Sequence, residues 1–180
     1  MRIGLTGTNA SGKTTVVNYL LLKGFEYHSL SDVIRQELDM RGMENSRENL
    51  RVVGNELRDH CGPSILADRI IAKLGDNNAV IDSIRNVCEV AALRTLEKFT
   101  LIAIDAPVEQ RYKRAKERGR LESAVDLNSF IEAENKEMSE SVIAQNIHKC
   151  IELADYHLIN DGDIEELFRQ IDHILRELED

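Results

Sequence analysis

The stretch Gly7-Thr8-Asn9-Ala10-Ser11-Gly12-Lys13-Thr14 constrains this chain more than any other. It fits GxxxxGK[ST] without a mismatch. It directly follows an apolar run at residues 2–6 and directly precedes an amphipathic run at residues 14–22. A strand, a glycine-bearing turn and a helix in that order curl the backbone so that successive N–H groups face an anion, and the helix N-terminus adds the positive end of its dipole. A glycine-rich turn that carries Lys and Thr by coincidence is the competing reading, and the placement between strand and helix argues against it. The pattern predicts that Gly7, Asn9, Ala10, Ser11, Gly12, Lys13, Thr14 and Thr15 grip the phosphates of a triphosphate, ATP with Mg²⁺. Lys13 is expected to reach the β- and γ-phosphates and Thr14 to offer its hydroxyl to the metal, with Thr15 as a further phosphate contact.

Four more apolar runs read as strands, at residues 25–29, 79–83, 100–105 and 156–160. In the run 14–22, Val16, Val17, Leu20 and Leu21 are spaced to face a sheet, and Gly24 ends the helix. Amphipathic segments at 31–40, 47–61 and 65–74 fill a gap far longer than a simple crossover needs, which predicts a helical insertion over 31–78. A second helical block, 109–118 and 127–147, is broken by the charged stretch 119–126 and gives a lid-bearing region over 111–147. The last helix, 164–178, carries Ile164, Leu167, Phe168, Ile171, Ile174, Leu175 and Leu178 as its apolar stripe. Strands alternating with helices predict one α/β domain over 1–180, with a mostly parallel sheet covered on both faces and ligands at the carboxyl ends of its strands.

The bulk of the sequence narrows the partners. Of its 180 residues, 42% are hydrophobic and 31% charged, enough to bury a core without disulfides or metals. A formal net charge of -9 argues against a broad nucleic-acid or anionic-membrane surface, so an anion site must be local. Cys61, Cys88 and Cys150 are widely spaced and read as buried or spectator thiols. No apolar run approaches the roughly 20 residues of a membrane span, and a cytoplasmic location is expected. The histidines at 28, 60, 148, 157 and 173 show neither metal-ligand nor triad spacing.

Phosphoryl transfer needs cations and a metal around developing charge, so charged residues near strand ends matter most. Asp32 and Arg35 follow the second strand one helical turn apart. Arg35 is a candidate to hold an acceptor phosphate, and Asp32 is either part of an N-cap with Ser31 or, for a hydroxyl acceptor, a general base. Arg47, Arg51 and Arg58 can share one face of the insertion, facing an acceptor or solvent. Asp82 closes the third strand as an acid expected to organise Mg²⁺, with Arg85 three residues on as an acceptor ligand or merely its ion-pair partner. Asp105 closes the fourth strand and receives no role. Arg111, Arg114, Arg118 and Arg120 form a cationic run in which Arg118 and Arg120 are the candidates to cover the transferring phosphoryl, and one of Arg111 and Arg114 is expected to be an ordinary helix-surface charge.

With these residues in place, the chain resembles, end to end, the nucleoside monophosphate kinase group of P-loop proteins, including adenylate-kinase-related proteins, deoxynucleoside monophosphate kinases and dephospho-CoA kinase. Asp32-Val33-Ile34-Arg35 is similar to their strand-two Asp and Arg. Ser46-Arg47 through Leu50, Gly54 and Arg58 is similar to the acceptor-binding insertion of the deoxynucleoside monophosphate kinases. Asp82 to Arg85, with Glu89 beyond, resembles their DxxR segment, and residues 111–120 correspond to the helix and lid that supply arginines. Ala154-Asp155-Tyr156 through Asn160 and Gly162 resembles the final strand and loop, which often contacts the donor base. The resemblance implies a three-layer P-loop fold with a five-stranded parallel sheet in the order 2-3-1-4-5. It also implies transfer of the γ-phosphoryl of ATP to a nucleoside or deoxynucleoside monophosphate. Transfer to a ribose hydroxyl with Asp32 as base is the alternative, and a nucleotide-binding regulator or slow ATPase is a third. Two features depart from the group: Asp82-Ser83-Ile84-Arg85-Asn86 stands where adenylate kinases carry DGFPR, and Lys136 is the only cation over 130–138.

Overall fold

The computed structural model describes residues 1–119, 126–136 and 146–179. Strand β1 (Arg2–Thr6) leads through the glycine-bearing turn into α1 (Lys13–Leu22). Strand β2 (Glu26–Ser29) is followed by α2 (Leu30–Met40), α3 (Arg47–Cys61) and α4 (Ile65–Ile71), and β3 (Ala79–Asp82) by α5 (Val87–Leu93). Strand β4 (Phe99–Asp105) precedes α6 (Val108–Glu117), α7 (Leu127–Lys136) and α8 (Ile147–Glu152), and β5 (Tyr156–Ile159) precedes α9 (Ile164–Glu179).

The five strands form one sheet in the order β2-β3-β1-β4-β5, every pair parallel. Both faces are covered, which is why the inner strands β3, β1 and β4 read as near-continuous apolar runs, whereas the edge strands β2 and β5 are more polar and exposed. Neighbouring residues along a strand serve opposite layers. Val80 and Ile102 pack with Val16, Val17 and Leu20 of α1 and with Leu167, Ile171 and Ile174 of α9. Ile81 and Leu101 face the other way, into a core shared with Val33, Ile34 and Leu38 of α2, Val53 and Leu57 of α3, and Leu66 and Ile70 of α4. The expected three-layer α/β architecture and strand order are those observed.

Several elements differ from the sequence reading. Helix α5 was not anticipated; its signal is a capping box in which the Asn86 side chain accepts from Cys88 N–H and the Glu89 carboxylate accepts from Asn86 N–H. Of the helical stretch expected over 127–147, α7 covers 127–136 and residues 137–145 lie outside the described residues; α8, which begins at Ile147 and runs past the expected end, is capped by the Asn146 side chain on Lys149 N–H. Neither Ser31 nor Asp32 caps α2, whose N-cap is Ser29. In the α9 stripe, Ile164 is exposed and Phe168 instead stacks on Tyr19 of α1 with ring centroids 3.9 Å apart.

Candidate functional site

The turn after β1 holds its shape through backbone that only small residues tolerate. Gly7 has φ 128°, and a Cβ there would sit 2.0 Å from the Ile104 carbonyl oxygen of β4. Gly12 has φ 112°, with Asn160 Nδ2 2.2 Å from where its Cβ would be. Ala10 is held at φ 58°, a left-handed conformation that costs a non-glycine residue about 1 kcal/mol or more and is typical of ligand-gripping turns.

Several outer contacts fix the loop. Lys13 Nζ donates to the carbonyl oxygens of Gly7 (2.8 Å) and Thr8 (2.6 Å). Thr8 Oγ1 donates to Asp105 Oδ1 at 2.5 Å. The buried Arg111 donates to the Ala106 carbonyl at 2.9 Å, reaches the Asn9 carbonyl at 3.5 Å and pairs with Glu134 of α7. Phe130, also on α7, forms a small apolar cluster with Ala115 of α6, against which Tyr112, and Ala10 of the phosphate turn, pack. Loss of hydration and the nearby Arg85 and Arg111 charges push the Lys13 ammonium down to about 8, against an opposing pull from Asp82 and Asp105. An additional anion at this turn would relieve that penalty.

Asp82 ends β3 within electrostatic reach of Lys13. Its Oδ2 accepts from Ser83 Oγ at 3.3 Å, and Ser83 Oγ in turn accepts from Ser29 Oγ at 3.3 Å. Its Oδ1 is buried and has no hydrogen-bond partner among the described residues. A buried carboxylate oxygen without a partner is costly unless a cation or water fills the place. Together with the exposed Thr14 side chain it offers hard oxygen donors of the kind Mg²⁺ takes alongside waters and phosphates, so the residues present fit that ion.

The acceptor candidates separate into two groups. Asp32 and Arg35 form an ion pair at 2.5 Å, both partly exposed. Arg85 is half-buried; its backbone N–H donates to Glu89 Oε2 at 3.0 Å, and its carbonyl accepts from Asn146 N–H at 2.7 Å. Arg47 and Arg51 are exposed on α3, and Arg47 is engaged in interactions of its own. Arg58 is only 2% exposed and gives both Nε (2.9 Å) and Nη2 (2.7 Å) to Glu89 Oε1. The structure therefore does not leave Arg47, Arg51 and Arg58 on one open face: Arg58 points inward, bracing α3 against the carboxylate that caps α5.

Beside the turn, Gly12, Thr15, Arg114, Arg118, Asn160 and Leu167 line a cavity of about 150 Å³. Arg114 Nη2 donates to Gln110 Oε1 (3.1 Å) and to the Asn160 carbonyl (3.2 Å), while its buried Nη1 has no partner among the described residues. Neither Arg111 nor Arg114 is thus an ordinary surface charge. Their spacing from Arg118, seven and four residues, is the signal that all three share a face of α6. Arg118 is exposed at the rim, and Arg120 lies outside the described residues. Glu134 was not singled out from the sequence, where nothing marks it apart from other surface acids.

A family model described as an AAA domain matches residues 3–140. A UPF0200 protein of Pyrococcus abyssi is 31% identical over 99% of this chain and 97% of its own length. Among solved structures, a shikimate kinase from Acinetobacter baumannii in complex with shikimate superposes with a TM-score of 0.61 at 16% identity, covering 98% of this chain and 93% of that one. An APS kinase from Mycobacterium tuberculosis, in complex with AMPPNP and APS, does so with a TM-score of 0.54 at 16% identity, covering 97% and 96%. At these identities the superpositions establish a shared P-loop kinase-like fold. No helix among the described residues is long and apolar enough to cross a membrane.

Proposed function

This chain belongs to the AAA domain family and to the UPF0200 proteins, and from that premise we propose that it is a Mg²⁺-dependent phosphotransferase. It moves the γ-phosphoryl of ATP onto a nucleoside or deoxynucleoside monophosphate. The observation that carries this reading is the Asp82 Oδ1, without a hydrogen-bond partner among the described residues, within reach of a Lys13 held under a phosphate-gripping turn. In it, Gly7 to Thr15 bind the triphosphate, Thr14 and Asp82 hold the metal, and Lys13, Arg118 and Arg120 surround the transferring group. The bound Mg²⁺ would neutralise charge on the phosphate oxygens. Arg35, Arg47 and Arg85 receive the acceptor, with Arg58 supporting Arg85 from behind through Glu89. Incubation with ATP, Mg²⁺ and a panel of nucleoside monophosphates, deoxynucleotides and dephospho-CoA, with products identified by mass, tests it. If no acceptor outcompetes water, the kinase reading is wrong.

A second reading, transfer to a hydroxyl, draws on the Asp32–Arg35 pair. Arg35 is already spent on Asp32, which orients that carboxylate as a base and leaves less of the guanidinium for an acceptor phosphate. Asp32→Asn separates the two. It should lower transfer to a hydroxyl by about 10²- to 10⁴-fold, and transfer to a phosphate far less.

A further inference from the structure

The peptide joining Ser11 to Gly12 is planar and trans, so its C=O and N–H point in opposite directions. Whatever fixes the Ser11 carbonyl also aims the Gly12 N–H. Asn160, in the loop after β5, does this: its Nδ2 donates to the Ser11 carbonyl oxygen at 2.8 Å. Asn160 is itself fixed from two sides. Its N–H donates to the Asp105 carbonyl at 2.7 Å and its carbonyl accepts from Arg114 at 3.2 Å. Asp105 in turn accepts from Thr8 at the other end of the same turn. A side chain at Gly12 would collide with the Asn160 amide, so the two positions are built for each other.

We infer that Asn160 is a positioning residue for the phosphate turn, a brace that aims the Gly12 N–H into the space where phosphate binds, rather than only a wall of the neighbouring cavity. Lys13 acts alike on the preceding peptides: by holding the Gly7 and Thr8 carbonyls it turns the Thr8 and Asn9 N–H groups the other way. On phosphate binding Lys13 is drawn to the anion, whereas Asn160 can stay in place. The brace is therefore one support of this anion nest that does not depend on Lys13, as are the Thr8–Asp105 and Arg111–Asn9 contacts. The inference rests on the triphosphate-binding part of the proposed function.

Calorimetric titration of the whole chain with Mg²⁺·ATP and, separately, with inorganic triphosphate tests it, using wild type, Asn160→Ala and Asn160→Asp. Loss of one hydrogen bond that leaves a loop peptide free should weaken both ligands in Asn160→Ala by about tenfold. Asn160→Asp should weaken them further, since a carboxylate cannot donate to the Ser11 carbonyl and repels phosphate. Should the variants hold inorganic triphosphate as tightly as wild type while losing only ATP affinity, Asn160 is a base-pocket residue and the inference is overturned. A measurement on wild type alone guards against variants that do not fold: the Gly12 amide proton must move downfield when inorganic triphosphate binds, and an unmoved resonance also overturns it. If wild type takes up neither ligand, the triphosphate reading itself falls, and the brace with it.

Discussion

At the scale of single residues, the site stores unfavourable electrostatics that a ligand would release. Lys13 carries a pKa of about 8, depressed chiefly by burial. Below that pH the free ammonium is already charged; above it, binding a triphosphate must draw a proton from solvent, because the bound anion raises the Lys13 pKa. Affinity should therefore be flat below pH 8 and fall by up to about tenfold per pH unit above it. Titrations at pH 9 in buffers of different ionisation enthalpy should report proton uptake, and the same pair at pH 6.5 should report little. Asp82 is the complementary case. Replacing it by Asn removes a half-buried charge whose buried Oδ1 has no partner among the described residues. The free protein should unfold at an equal or higher temperature, while transfer at limiting Mg²⁺ drops by about 10²-fold. A loss of both stability and activity would mean that Asp82 serves the fold rather than the metal.

At the scale of elements, a buried ion pair ties α3 to α5 and to the segment that follows β3. Glu89, fully buried, accepts from Arg58 through one oxygen and from the Arg85 and Asn86 N–H groups through the other. Removing one partner strands the other charge, so Arg58→Ala should cost about 3–5 kcal/mol in chemical denaturation. Arg58→Met combined with Glu89→Gln should cost less, since no lone charge remains. If Arg58→Ala left stability unchanged and only weakened acceptor binding, Arg58 would belong to the acceptor site after all. Part of this junction was readable: the bounds of α3 stand in the sequence as periodicity, and the family resemblance set Glu89 in one segment with Asp82 and Arg85. That Arg58 turns inward was not, because helical spacing places it on a face without saying what covers that face.

For the molecule as a whole, the sheet order places β1 centrally and opens its carboxyl end between β3, which ends in Asp82, and β4, which ends in Asp105. A ligand bound at this junction touches several layers at once and should stabilise the entire fold. Mg²⁺·ATP at 100 times its Kd should add about 2.7 kcal/mol, or roughly 5–10 °C in Tm for a domain of this size. Differential scanning calorimetry with and without the nucleotide checks this, and an unchanged Tm would count against binding. The sequence by itself determined the phosphate turn and the alternation of strands and helices, because those features are local: a glycine that must take positive φ, an apolar period. The strand order, which joins distant segments, came only through resemblance. The resemblance likewise drew in Asn160 and Gly162 as part of the final strand and loop. Only the tertiary structure decided which charges meet. Arg111 reaching the turn, Arg114 lining the cavity, Glu134 closing on Arg111 and Asn160 holding Ser11 all join residues far apart in the chain. Such pairings follow from how the layers stack, and a helix-surface arginine looks the same in sequence whether it faces water or a phosphate turn.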